Sequence, residues 1–417
     1  MGLGDAFSPL REREFRLLWM GRVCSLAGDT LIPVALSFAV LSVDSAAWAL
    51  GAVLAAFFVS RVSLTLVGGV VADRLPRREV MLACDGLRAC VEIFTATMLF
   101  THQMTFPAFV VTGAIFGAAS AFFGPASDGL VPQTVGGANL KRANALLRMS
   151  QNALNVFGPV VSGALIVAFG TGTVFAIDGV TFLFSAWFLM RLRIAPHERA
   201  RPARFLVDLG QGFREVSSRG WVRAPLVCFA VSNFCFAAFL VLGPVVFRDH
   251  FASARLDWGV VMAGGAIGAI VGAFVATRLR PQRPLSFVLA ASAVLAAPML
   301  ALAQPLPVGL IAVAWFLGFG TGSLSNTTWE TLLQQRIPSA VYARVRSYDI
   351  LVSFIFMPLG FVAFPLIANA VGFTRTLIAA GAVCGATNLA IAFAPDVRAV
   401  TDAAEAPLVE APQPRAA

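Results

Sequence analysis

Charge is the first thing this chain is short of. Across 417 residues only 13% are Asp, Glu, Lys or Arg, while 58% are apolar, and mean hydropathy is +0.80. A water-soluble domain carries about 25% charged residues, so this composition excludes one and places the chain in a bilayer. No stretch has the composition of a separate soluble domain. Lysine is nearly absent: Lys141 alone among 31 basic residues, between Leu140 and Arg142. A Walker A loop needs Gly-Lys-Ser/Thr to hold phosphates, so ATP hydrolysis by that route is excluded. The three histidines, His102, His197 and His250, are far apart, and no HExxH occurs. Cys24, Cys84, Cys90, Cys228, Cys235 and Cys384 all fall in apolar runs without a CxxC pair. They read as small packing residues, not as a disulfide framework or metal site. No cofactor, no metal and no enzymatic activity are expected.

What remains is a succession of apolar runs. A span needs roughly 20 apolar residues, and that ruler predicts about twelve helices, near 16–43, 47–71, 80–102, 106–127, 145–169, 173–192, 222–247, 256–278, 285–303, 307–327, 346–370 and 374–394. The odd-to-even turns (Val43–Ala47, His102–Pro107, Gly170–Thr173) are nearly free of arginine. The even-to-odd turns carry Arg74, Arg77, Arg78, Lys141, Arg142, Arg278, Arg280, Arg283, Arg336 and Arg344. Cationic turns stay in the cytoplasm, which puts both termini there, in a cell membrane. The net charge of +9 thus reports orientation and suggests no nucleic acid. The N-terminus, with Arg11, Glu12, Arg13, Glu14 and Arg16, is too charged for a cleavable signal. Trp19, Trp48, Trp187, Trp221, Trp258 and Trp329 lie near predicted span ends, as in an aromatic belt.

Residues 193–220 read as a linker, with Phe205, Leu206, Leu209 and Phe213 at helical spacing along the membrane surface. The predicted units are 1–192, this linker, 221–394 and a disordered tail over 395–417, rich in Ala, Pro and acids. Arg142, Gly158 and Gly170 recur as Arg344, Gly360 and Gly372, each pair 202 positions apart. Gly68, Arg74 and Leu75 recur as Gly272, Arg278 and Leu279, 204 apart. Two blocks at nearly one offset predict two six-helix halves.

The stretch Gly69-x-x-Ala72-Asp73-Arg74-x-x-Arg77-Arg78 resembles the loop between helices 2 and 3 of the major facilitator superfamily. Phe15-Arg16-Leu17-Leu18-Trp19 with Ser25-x-x-Gly28-Asp29, Ala143-Asn144-Ala145-Leu146 and Gln335-Arg336-x-Pro338 resemble its drug:proton antiporter 3 branch. Gly158-Pro159-Val160-Val161-Ser162-Gly163 resembles the antiporter motif of helix 5, with Ser162 for one glycine and Leu154 at an upstream motif glycine. The resemblance implies an all-α, twelve-helix major facilitator fold with substrate held between the halves. It also implies that Asp73 and Arg74 help hold the cytoplasmic side closed.

Charges inside spans are costly and each needs an account. Asp29 lies 14 residues before Val43 and Arg61 lies 14 after Ala47. Both therefore sit roughly 21 Å from the same side, level on adjacent antiparallel helices, where they can pair. Such a pair is either a brace or a proton-coupling site at Asp29. Asp85, Arg88 and Glu92 share one face of helix 3. Asp85 and Arg88 read as a gate or packing pair, and Glu92, near the span centre, rivals Asp29 as proton carrier. Asp178 and Asp349 read as capping or gating residues. Asn152, Asn155, Asn233, Asn326 and Trp315 are candidates for a cavity lining, although helix–helix hydrogen bonding is the commoner use of such asparagines.

The resulting expectation is a monomeric, proton-driven exporter of lipophilic small molecules such as drugs, antibiotics or siderophores. An uptake permease of the same fold and a non-transporting receptor or scaffold are the competing readings.

Overall fold

The computed structural model describes residues 7–194, 214–304 and 306–401; of Asp73 and Arg344 only the backbone is described. The first span comprises α1 (Arg13–Asp29) and α2 (Ile32–Val43). There follow α3 (Ala47–Arg74), α4 (Arg77–Phe100), α5 (Phe106–Leu130), α6 (Leu140–Phe169) and α7 (Thr171–Met190). After the linker come α8 (Gly220–His250) and α9 (Ala254–Ala276). The ninth span is α10 (Pro284–Ser292) and α11 (Ala297–Ala303), joined by a 3₁₀ turn. α12 (Val308–Arg336) precedes an eleventh span of α13 (Ser339–Phe354) and α14 (Met357–Val371), and α15 (Phe373–Ala392) is the last.

Among the described residues, eleven helical stretches are long and apolar enough to cross a membrane. The twelfth, α4, has 24 residues, about 36 Å at 1.5 Å per residue. It falls short in apolarity because it carries Asp85, Arg88 and Glu92. Three spans are interrupted where the sequence places proline: Pro33, Pro298 and Pro358 each stand in the first turn of the second segment. Proline has no N–H to give to the preceding turn, so the helix breaks and restarts there.

The internal repeat appears as repeated packing. Gly158 of α6 abuts Thr30, and Gly360 of α14 abuts Phe234 and Ala237 of α8. Gly68 of α3 lies against Ala121 of α5, and Gly272 of α9 against Gly320 of α12. Gly170 and Gly372 end their helices at φ +83 and +94, a region where a side chain would be strained.

The halves meet along two seams, α6 on α9 and α3 on α14. Glycines set the distance. A Cβ on Gly163 would lie 2.6 Å from the Arg255 carbonyl oxygen, Gly259 sits against the Pro159 carbonyl, and Gly51 sits against that of Phe361. All of these lie toward the arginine-poor end. There the core is continuous across both halves, from Val34, Ala35 and Leu50 to Phe239, Trp258 and Phe361. Arg248 adds a polar tie by donating to the Ser45 carbonyl at 2.7 Å. Toward the arginine-rich end the core divides in two. Phe15, Met81, Leu130 and Leu189 pack in one half; Val222, Leu285, Trp329 and Val397 pack in the other.

Two expectations change here. Trp258 and Trp329 are 2% and 1% exposed, so they are packing residues and not part of a belt; each stacks edge-on against phenylalanines of α8. The tail does not begin at 395: Pro395–Arg398 is a short helix, Val397 and Val400 are buried, and Arg336 donates to the Thr401 carbonyl at 2.5 Å. Residues 402–417 and the amphipathic stretch of the linker lie outside the described residues.

Candidate functional site

A cavity of about 870 Å³ opens between the halves and is lined mainly by α1–α6, with Leu240, Trp258 and Met262 from the other half. Its walls run from Asp128, whose side chain is 78% exposed, to Phe109 and Trp258, which are buried beneath the closed end. Aromatic residues form the deep part; Arg22, Asn144, Arg148 and Gln151 border the part nearer the arginine-rich end.

Behind one wall lies a buried polar centre. Arg88, 3% exposed, ion-pairs with Asp85 one turn away and with Asp29 at 3.6 Å. Its guanidinium is clamped between the rings of Phe123 and Phe182, 4.1 and 4.3 Å from their centroids. Cation–π contact stabilises such a charge where water is scarce. Ser185 of α7 donates to the other Asp85 oxygen at 2.7 Å. Two glycines allow the three helices α1, α4 and α7 to converge here. Gly28 makes room for the Asp178 carboxyl group, and an added Cβ on Gly179 would lie 3.4 Å from Glu92 Cβ. Asp178 is 0% and Glu92 4% exposed. Among the described residues nothing donates to Glu92 Oε2 or Asp178 Oδ2. One buried guanidinium therefore faces four carboxyl groups, and more than one formal negative charge cannot be held in such a medium without a proton or a cation.

The structure redistributes the residues named from sequence. Asp29 pairs with Arg88, not with Arg61. The reason is azimuthal: α1 packs on α7 and α6 rather than on α3, so equal depth leaves the two within electrostatic reach of each other but outside ion-pair distance. Arg61 instead reaches into the cavity, its guanidinium 5.9 Å from the Phe57 ring centroid. Glu92 lines the cavity together with Asp29 and Arg88. Asp178, read as a capping or gating residue, belongs to the buried centre. Asp349 does tie helices together: it accepts from Trp329 at 3.0 Å and from Arg346, which also binds Glu330 at 2.5 Å.

None of Asn152, Asn155, Asn233, Trp315 and Asn326 lines the cavity. Asn233 donates to the Phe229 carbonyl at 3.0 Å, and Trp315 stacks on Phe239 with centroids 4.2 Å apart. Asn152, Asn155 and Asn326 are exposed elsewhere. Sequence reasoning missed Arg22, Asp128 and Arg148. Arg22 and Arg148 stood inside predicted spans, and that was a usable signal.

In the turn motif, Arg77 donates to the Gly129 carbonyl at the end of α5. Arg78 donates to the carbonyls of Leu189 and Met190 at the end of α7, at 2.8 and 2.6 Å. Both thus cap helix C-termini, where cations are favourable. Arg74 is exposed. Close packing belongs to Gly68; Gly69 has nothing within 4 Å of the place a Cβ would take. In the helix 5 motif, Gly158 makes a close contact to Thr30 at the break between α1 and α2, and Gly163 to α9. Ser162 donates to the Leu31 carbonyl at 2.6 Å, bracing the break in the first span.

The family described as transmembrane secretion effector matches residues 4–417. The chain is 25% identical over 376 residues to the multidrug efflux pump Tap of Mycobacterium tuberculosis (strain ATCC 25618 / H37Rv), covering 87% of this chain and 89% of that protein. It is 24% identical over 342 residues to the enterobactin exporter EntS of Citrobacter koseri, covering 79% of each. Among solved structures, a nucleoside transporter NupG mutant superposes with a TM-score of 0.75 at 12% identity, covering 91% of this chain and 100% of that one. A bacterial homologue of the lysosomal transporter Spinster, inward-facing and unoccupied, superposes at 0.71 and 12% identity over 94% and 98%.

Proposed function

Because the chain belongs to the transmembrane secretion effector family of the major facilitator superfamily, we propose that it exports small organic molecules from the cytoplasm by alternating access, in exchange for protons. One observation carries this reading: the halves are sealed at the arginine-poor end and separated at the arginine-rich end, with the cavity between them. If the arginine-rich end is cytoplasmic, the cavity is loaded from inside. Two relatives named as exporters, one of drugs and one of a siderophore, support the outward direction.

The buried centre supplies a place for the driving ion. Arg88 holds Asp29 and Asp85 as counter-ions, while the second oxygens of Glu92 and Asp178 are left without donors. A proton taken up at Glu92 removes a charge from beside Asp29 and is released again when the cavity faces the other side. On the arginine-rich face, Asp73 and Arg74 take part in closing the halves, while Arg77 and Arg78 hold the ends of α5 and α7.

The test is export into inverted membrane vesicles under an imposed pH gradient, with Nile red, an uncharged lipophilic dye, and a catecholate siderophore as cargo. Uptake that follows the gradient and collapses with a protonophore is expected. Uptake of neither cargo, or uptake indifferent to the gradient, contradicts the proposal.

A further inference from the structure

The cavity holds more cationic groups than its acids occupy. Arg22, Arg61, Arg88 and Arg148 line it, against Asp29, Glu92 and Asp128. Arg22 is taken by Asp128 at 3.3 Å, and Arg88 by Asp29 and Asp85. Among the described residues, Arg61 and Arg148 have no ion-pair partner and their guanidinium groups make no hydrogen bond. Arg61 is the unusual one. It stands 14 residues from one end of α3 and 13 from the other, so roughly 20 Å from either, at mid-membrane depth. A lone cation there is unfavourable and snorkelling cannot reach the interface. The acid that attracts it, Asp29, is ion-paired with Arg88. Phe57, whose ring centroid is 5.9 Å from the guanidinium, lines the same cavity as Phe58, Phe109, Phe116, Phe175 and Trp258, and among the described residues Arg61 is the deep cation of that cavity left outside an ion pair.

Resting on the export reading, we infer that the cavity selects aromatic organic anions, with a carboxylate or comparable acidic group of the cargo bound by Arg61 and the ring system seated among these aromatic side chains. Arg61 offers a planar fork suited to a bidentate carboxylate, and such charge-assisted bonds are the strong ones. Arg148 stands eight residues into α6, about 12 Å along it, beside Arg22, and draws the anion inward before Arg61 receives it. A hydrophobic cation would instead meet two unpaired guanidinium groups on its way in.

Two xanthene dyes of opposite charge decide the matter: 5-carboxyfluorescein, an anion, and rhodamine 6G, a cation. Their binding to the purified full chain is followed by fluorescence anisotropy in uncharged maltoside micelles, where no anionic lipid headgroup competes. The expected result is at least about tenfold tighter binding of the anion, 1.4 kcal/mol. Arg61→Gln is expected to remove that preference and Arg61→Lys to keep part of it. Equal or reversed preference overturns the inference. So does the absence of saturable carboxyfluorescein binding below about 1 mM, or unchanged anion binding in folded Arg61→Gln. The wild-type dye comparison decides even if that variant does not fold. Transport of the same dyes into inverted vesicles keeps the two readings apart: binding selectivity without gradient-driven transport refutes export and leaves the anion site standing.

Discussion

Asp29 on α1 and Arg88 on α4 form an ion pair at 3.6 Å, and the same guanidinium holds Asp85. Two carboxylates thus depend on one buried cation, and the loss of that cation is far from symmetrical with the loss of either acid.

Arg88→Gln leaves Asp85 without a counter-ion, and Asp29 with only the more distant Arg61, in a medium that penalises lone charge. A loss of about 3–5 kcal/mol is expected, seen as aggregation in size-exclusion profiles of a fluorescent fusion. Asp29→Asn keeps Asp85 on Arg88 and is expected to yield a monodisperse peak. Equal damage from both substitutions would mean that Arg88 is not the hub.

Glu92→Gln keeps shape and hydrogen-bonding capacity and removes only the ionisable group. Gradient-driven export is expected to be abolished while cargo binding at fixed pH changes less than about threefold, within 0.7 kcal/mol. Asp178→Asn is expected to slow export without abolishing it. If Glu92→Gln still exports against a gradient, the proton is carried by Asp29 or Asp178.

The sequence was most informative where physics runs along the chain. Span length, arginine-bearing turns and prolines follow from local composition, and the 202-residue repeat placed Gly158 with Gly360 and Gly170 with Gly372, which the structure pairs by function. It was least informative where the answer depends on rotation about a helix axis. Asp29 and Arg61 share a depth, but depth carries no azimuth, and the partner lies on α4. Gly68 and Gly69 are adjacent in sequence, yet only Gly68 faces α5. The asparagines looked like a cavity lining because they are polar within apolar runs; Asn233 satisfies itself on its own helix. Arg61 did read as significant, and Asp29 is the acid that attracts it, but the ion pair of Asp29 is with Arg88.

Ser162→Ala tests the brace at the break in the first span. The hydroxyl donates to the Leu31 carbonyl at 2.6 Å in a fully buried setting, next to the Pro33 segment. Its removal leaves that carbonyl with only a long 3.4 Å bond from the Ala35 N–H. A cost of about 1 kcal/mol is expected, read as a fall in the apparent melting temperature. Ser162→Gly, which restores the glycine of the resembling motif, is expected to cost more because it also adds helix flexibility. A variant as stable as the wild type would show that the hydroxyl bond is not needed.

The seam glycines test the sealed end. Gly259 lies against the Pro159 carbonyl and Gly163 against Arg255, so a side chain at either position forces α6 and α9 apart. Both contacts lie toward the end where the halves share one core, and neither residue lines the cavity. Gly259→Val therefore penalises the closed arrangement without touching cargo contacts, and the balance shifts toward a state open at the arginine-poor end. The readout is labelling of a cysteine introduced at Leu36, which lines the cavity on α2, by a membrane-impermeant maleimide added to intact cells. Labelling is expected to rise several-fold in the Gly259→Val background, and export to slow because return to the closed state is costly. The matching change at Gly264, whose nearest foreign atom lies 3.1 Å away on α12 within the same half, is expected to leave labelling at the wild-type level. If both valines raise labelling equally, the effect is general loosening of the second half, and the seam between α6 and α9 is not the gate.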